Sequence, residues 1–391
     1  MPPGFFVYEN DLLKHFVRTD GWLPLCRKRL RSIRDSSGRR SNPRRLRYFT
    51  FCAVGAVDVL MLDVAKVIRR SNNDKFDTVF FFDKTNEYVV ETQRRIPGAI
   101  GFPGNFVDMV LREDPEGDAS LDSNAPLDPP DEGADTHEVR AAQVQVSLRR
   151  DFISSFPFDV INLDLEQFFL VPNDEFPGKM IRALRKIFEW QRRTLTTTQG
   201  NETLMGFSLM FTTQIGPPDL TLEYLNMLRE ELNSNLARDA SLVGMLRDRT
   251  GLDDVTLLQQ AQFEAFFKLG VPKVLASILK EEDWYVDSEQ GIKTYEFERP
   301  WKGGSYRMLH LVMDVLRQSP PYDRRARRAP TADAEAAYGE VVRQLVSEPE
   351  TVVTLETIDQ AALQESLDRI KARRRKYCPE CPEEMVPEIE L

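Results

Sequence analysis

Four short clusters hold the residue types from which a ligand site can be built. Cys52-Ala53-Val54-Gly55-Ala56 follows an apolar run and precedes a helical pattern. Such small residues let the backbone approach a ligand, and the helix start favours a carboxylate or phosphate. Asp83 follows about 28 residues after Gly55, where an acid can accept both hydroxyl hydrogens of a ribose. Gly104-Asn105-Phe106 offers a polar edge and an aromatic wall for a purine. Asn162, Asp164 and Glu166 supply the groups nearest to chemistry, Asp164 foremost, as hydrogen-bond acceptor or general base. Each has a plainer use as well: Gly55 in an ordinary turn, Asp83 and Asn105 as helix caps, the acids as loop residues.

Other constellations are weaker. Cys378-Pro-Glu-Cys381 has the spacing of half a zinc site but no second pair, with Cys26, His15, His137 and His310 as the remaining donors, so no metal is expected. No phosphate-cradling Walker sequence, nucleophile elbow or His-Glu-x-x-His helix occurs. Trp301 and Lys302, before Gly303-Gly304, can stack on a base or simply cover the core.

The elements that must position these clusters alternate in period. Tyr48–Val54, FDTVFFFD, GAIGFPG, Phe158–Leu163 and MGFSLMFTTQI are apolar runs suited to buried strands, and helical spacing separates them. This pattern predicts an α/β fold with a doubly wound, mostly parallel sheet, in which ligands bind beyond the carboxyl ends of the strands. IKTYEFERP and SYRMLHLVMDVLRQ read as a hairpin, although the second arm also suits a helix. The expected organisation is an N-terminal arm and basic linker over 1–46 and a Rossmann-like domain over 47–320. An acidic flexible insertion at 112–148 and a helical insertion at 221–281 interrupt that domain, and a C-terminal α+β appendage and tail occupies 330–391.

Length, 391 residues, and composition, 41% hydrophobic and 29% charged, are those of a globular protein. No stretch approaches the roughly 20 apolar residues of a membrane span, and MPPGFFVYENDLLKHF lacks a signal-peptide pattern, so a cytoplasmic protein without membrane contact is expected. Four cysteines suggest no structural disulfide. The net charge of −10 is distributed in blocks: about ten basic residues lie between Arg27 and Arg47, and about ten acids between Glu113 and Glu138. The basic block has the character of a nucleic-acid footprint, or of a solvated segment attracted to the acidic one. The C-terminal appendage is the expected contact for a protein partner.

The order of the clusters resembles the class I S-adenosylmethionine-dependent methyltransferases: a small-residue turn after strand one, an acid after strand two, a polar residue with an aromatic after strand three, an acidic site after strand four. The likeness spans about residues 46 to 317. It implies S-adenosylmethionine as cofactor, with Cys52 to Ala56, including Ala53 and Gly55, around the methionine part, Asp83 at the ribose, and Asn105 and Phe106 at the adenine. FDVINLDLEQFF is similar to the site of nucleic-acid methyltransferases, implying methylation of an RNA or DNA nitrogen with Asn162, Asp164 and Glu166 as catalytic candidates. The first motif departs from the family pattern in having one glycine and no acid, and Leu163 and Leu165 stand where prolines are usual. The alternative is a binding or scaffold protein that kept the fold without the chemistry, in a multi-protein system such as antiviral defence.

Overall fold

The computed structural model of the chain describes residues 12–36, 43–52, 55–112, 136–165, 178–197, 200–215, 241–251, 263–287, 291–301, 304–318, 334–348 and 350–380, with parts of 226–237. An arm opens it: α1 (Leu12–Val17), a π-helical turn at Arg18–Trp22, and α2 (Leu23–Ser36). Strands and helices then alternate through β1 (Tyr48–Thr50), α3 (Val57–Val64), β2 (Val79–Asp83), α4 (Asn86–Arg95), β3 (Ile100–Pro103), α5 (Phe106–Leu111), α6 (Thr136–Ser154), β4 (Val160–Asp164) and α7 (Lys179–Trp190). A small hairpin of β5 (Thr194–Thr197) and β6 (Gly200–Thr203) precedes β7 (Gly206–Gln214). After α8 (Ser241–Thr250) and α9 (Phe263–Glu281) come β8 (Trp284–Val286), β9 (Ile292–Trp301), β10 (Gly304–Arg317), α10 (Ala334–Ser347), β11 (Thr351–Val353) and α11 (Gln360–Tyr377).

The main sheet runs β11-β9-β10-β7-β4-β1-β2-β3, with β8 paired to β10. From β3 to β7 every pairing is parallel; β10 is antiparallel to β7 and β9, and β11 is parallel to β9. The order reverses beside β1, because the chain builds β2 and β3 outward on one side and β4 and β7 on the other. In open α/β sheets ligands bind at such a reversal, here at the carboxyl ends of β1 and β4.

The period of two along each strand divides the core into two layers. Phe49, Ile161, Leu163, Leu209, Phe211, Leu309 and Leu311 pack with α5, α6, α7, α9 and α10. Tyr48, Val160, Met210, Val312, Tyr295 and Phe297 pack under the arm, α3 and α11. Burial on both faces is why the central strands read as continuous apolar runs rather than alternating ones.

Several expected boundaries move. The described part of the expected C-terminal appendage packs on the main fold: β11 extends the main sheet through β9, Val341, Val342 and Leu345 of α10 join one layer, and Leu363, Leu367 and Ile370 of α11 join the other. The acidic insertion, expected to end at 148, is already helical from Thr136, and Phe152 and Ile153 anchor that helix in the core; 113–135 lie outside the described residues. α9 is a full covering helix, with Phe266, Phe267, Leu275 and Leu279 buried against the sheet. The second arm of the expected hairpin is a strand, in register from Trp301↔Gly304 to Met313↔Ile292. Cys26 and Cys52 are free, whereas Cys378 is disulfide-bonded, which corrects the expectation of none; its partner lies outside the described residues. No described helix is long and apolar enough to cross a membrane.

Candidate functional site

Tyr48, Thr50 and Cys52 alternate along the first strand segment and so face α3, where Asp58 stands in the first turn. Asp58 is 6% exposed and accepts from Tyr48 Oη and Thr50 Oγ1, both at 2.8 Å, while Cys52 Sγ lies 3.7 Å from its other oxygen. Asn162, on β4 opposite Thr50, donates through Nδ2 to Thr50 Oγ1 (3.1 Å) and Tyr48 Oη (3.3 Å). Its Oδ1 is buried without a hydrogen-bond partner. Asn162 thus faces the interior of this polar cluster instead of the strand tip, because it lies two residues short of the end. Burial, with the Asp58 and Asp83 carboxylates nearby, pushes the Cys52 thiol well above its ordinary range, so it is no nucleophile at neutral pH.

Gly55 is buried in the turn after β1, and Ala56 adopts the left-handed region at φ 49° before α3 begins. Ala53 lies outside the described residues, as does Glu166. At the tip of β2, Asp83 Oδ1 accepts from the Lys84 amide at 2.6 Å, and its carbonyl accepts from the Gly104 amide at 2.8 Å, joining the ends of β2 and β3. The cap of α4 is Thr85, not Asp83. Asn105 does cap: its Oδ1 accepts from the Val107 and Asp108 amides at 2.9 and 3.2 Å. Phe106 is 8% exposed and belongs to the core, with Phe51, Phe82 and Phe49 around it. It is therefore not an open wall; the half-buried Phe51, its ring 4.8 Å away, lies nearer the surface.

Asp164 ends β4 on the face covered by the arm, where Lys14 of α1 forms an ion pair with it; the two side chains are 12% and 6% exposed. Burial alone raises the Asp164 pKa, but the charges of Lys14, Arg299 and Arg18 reverse this and hold it at about 2. Lys14 is lowered by burial, against the pull of Asp164. Across the sheet Asp164 is in register with Thr212, Thr212 with His310, and His310 with Tyr295. Trp22 Nε1 donates to His310 Nε2, so His310 Nδ1 carries the proton and donates to Thr212 Oγ1 at 2.6 Å. Burial lowers the His310 pKa to about 3. Tyr295 donates to Asp20 at 2.8 Å.

Among the described residues, much of the basic block is already engaged within the fold. Lys28 pairs with Asp287 and Asp314, Arg29 with Asp314, and Arg45 with Asp77. Arg44 grips Asp159 through two nitrogens at 2.6 and 2.8 Å, and Arg47 donates to the Pro157 carbonyl at 3.0 Å while covering the Phe80 ring. Among the described residues of the block, Arg27, Arg31 and Arg34, on α2, are exposed.

The structure therefore brings Cys52, Gly55, Asp83, Asn105 and Asp164 to one end of the sheet, and Asn162 just beneath it. Sequence reasoning missed Lys14, Arg18, Asp58 and Arg299, and named His310 only as a spare metal donor. An acid in the first turn of a largely apolar helix, which also carries Asp63, was the one legible signal, for Asp58; the others are joined only by the fold. Among the described residues no cluster of His, Cys, Asp and Glu has the makings of a metal site. No protein-family model matches the chain, and no curated protein matches its sequence.

Proposed function

We propose that this chain is a protein of the class I methyltransferase type that binds S-adenosylmethionine at the ends of β1, β2 and β3 and presents an acceptor at the end of β4. The observation that carries this reading is the shared edge itself: the ends of four parallel strands, β1 to β4, deliver Cys52, Asp83, Gly104 and Asp164 to one end of the sheet, around the reversal of strand order at β1. The reversed β9–β10 hairpin next to β7 is in keeping with the same family.

The residues fit such a ligand in part. Asp83 sits at the strand tip where ribose hydroxyls would donate, and Gly55 leaves the neighbouring turn without a side chain. Asp58 offsets the positive end of α3, which disfavours a phosphate there and suits a ligand carrying an ammonium. Asn105 spends its oxygen on capping, which leaves its Nδ2 for an adenine edge. When bound, the cofactor would supply an electrophilic methyl group. Asp164, ionised down to about pH 2, is too weak a base at neutral pH to take a proton, so it would orient an acceptor N–H by accepting a hydrogen bond. Among the described residues of the basic block, Arg27, Arg31 and Arg34 are exposed cations that a nucleic-acid acceptor could meet.

Calorimetry with S-adenosylmethionine and its demethylated product tests the reading. Binding weakened at least tenfold by Asp83→Ala supports it; no heat at millimolar ligand rejects it. The second reading, a binding protein without methyl transfer, draws on the engagement of Asp164 by Lys14. Nucleoside binding with no methyl incorporation into RNA, DNA or small molecules would favour it.

A further inference from the structure

Arg18 is 7% exposed, yet its Nε and Nη1 have no hydrogen-bond partner. Its guanidinium lies over the Trp22 ring at 5.6 Å, and Trp22 is itself fixed by His310. One turn before it in the arm, Lys14 holds Asp164, whose Oδ1 is likewise buried without a partner. Arg299, 4% exposed near the carboxyl end of β9, acts on the same carboxylate. A guanidinium withdrawn from water with two of its nitrogens unbonded, and sharing the Asp164 charge with Lys14 and Arg299, is costly, and native structures retain such groups where something else compensates them. Guanidinium groups match carboxylate and phosphate oxygens through paired N–H donors.

We propose that Arg18, between the arm and the carboxyl ends of β4 and β9, is the recognition group of a binding site for a single carboxylate or phosphate. Lys14 and Arg299 strengthen the local field. Asp164 Oδ1 selects for a ligand that carries an N–H or O–H donor beside its anionic group. Asp164 gives the site its opening, since its side chain retains 12% exposure. The site lies towards the carboxyl ends of β4 and β9, and its Arg18 also acts on Cys52 at the end of β1. It stands whether or not the protein transfers methyl groups.

The test is calorimetry and thermal unfolding of the full chain at constant ionic strength, with inorganic phosphate or acetate as probe and chloride as reference. Saturable binding of either probe, with a raised melting temperature, is expected; phosphate alone or acetate alone identifies the source of the anion. Arg18→Met keeps an unbranched side chain without the charge and should weaken that binding at least tenfold while melting, without anion, at or above the wild-type temperature. Arg299→Met should weaken it less. The proposal is overturned if neither probe differs from chloride, if Arg18→Met responds as wild type does, or if Arg18→Met is less stable or unfolded without anion, since that marks a structural arginine.

Discussion

The ammonium of Lys14 and the carboxylate of Asp164 pair across 150 residues of sequence, fastening the first helix to the end of the fourth strand with both side chains nearly out of water. The partners are not equivalent. Removing Lys14 leaves Asp164 with Arg299 and Arg18, whereas removing the acid leaves several cations facing one another. Asp164→Asn should therefore cost about 3–5 kcal/mol, as broken buried pairs do, and Lys14→Met distinctly less. Urea denaturation of both variants checks the order, and equal losses would refute it.

Asp58 serves three side chains of the first strand segment. Asp58→Ala strands the Tyr48 and Thr50 hydroxyls and should destabilise by about 2–3 kcal/mol. Loss of S-adenosylmethionine binding beyond the fraction unfolded would show that the acid also meets the ligand.

Ala56 occupies a left-handed backbone conformation and is fully buried. A β-branched side chain there is strained and crowded, so Ala56→Val should cost about 2 kcal/mol or more. Ala56→Gly should stay within about 1 kcal/mol of wild type, strain relief offsetting lost burial and added chain entropy. Paired chemical denaturation curves decide it.

Two imidazoles give the stability a predicted pH dependence. Burial holds His310 and His15 neutral down to about pH 3, against an ordinary value of 6.5. Below that ordinary value the unfolded chain binds the protons first. Stability should thus fall by about 1.4 kcal/mol per pH unit for each group as pH drops from 6.5 towards 3. His310→Gln should flatten the decline by roughly one such slope; an unchanged profile would exclude the assignment.

The ion pairs of Lys28, Arg29, Arg44 and Arg45 and the carbonyl contacts of Arg47 limit what the basic block offers a polyanion. If RNA or DNA binds, replacing Arg27, Arg31 and Arg34 with Gln should reduce the slope of log affinity against log salt by up to about 2.7, near 0.9 per duplex phosphate contact. Arg44→Gln should lower stability and leave that slope unchanged, a contrast that filter binding at several salt concentrations measures.

The strand–helix alternation was legible because local periodicity and small-residue turns belong to contiguous residues, and the order of Gly55, Asp83, Asn105 and Asp164 along the chain already placed them at successive strand ends. Partnership was not legible. Whether Asn105 caps a helix or meets a ligand, and whether Phe106 lines a wall or fills a core, depends on neighbours from other elements. The same holds for the basic block: Arg44 and Asp159 are far apart in sequence, so a run that looks like a phosphate footprint becomes an internal clamp only when the strands assemble.

The sequence by itself determined the α/β alternation and the parallel core, since buried strands and amphipathic helices are written in the spacing of apolar residues. Tertiary structure alone decided that β11 joins the main sheet, that Lys14 meets Asp164, and that Arg18 is buried beside them. Pairings of that kind are set by how layers close over one another, and charge burial depends on the dielectric that closure creates.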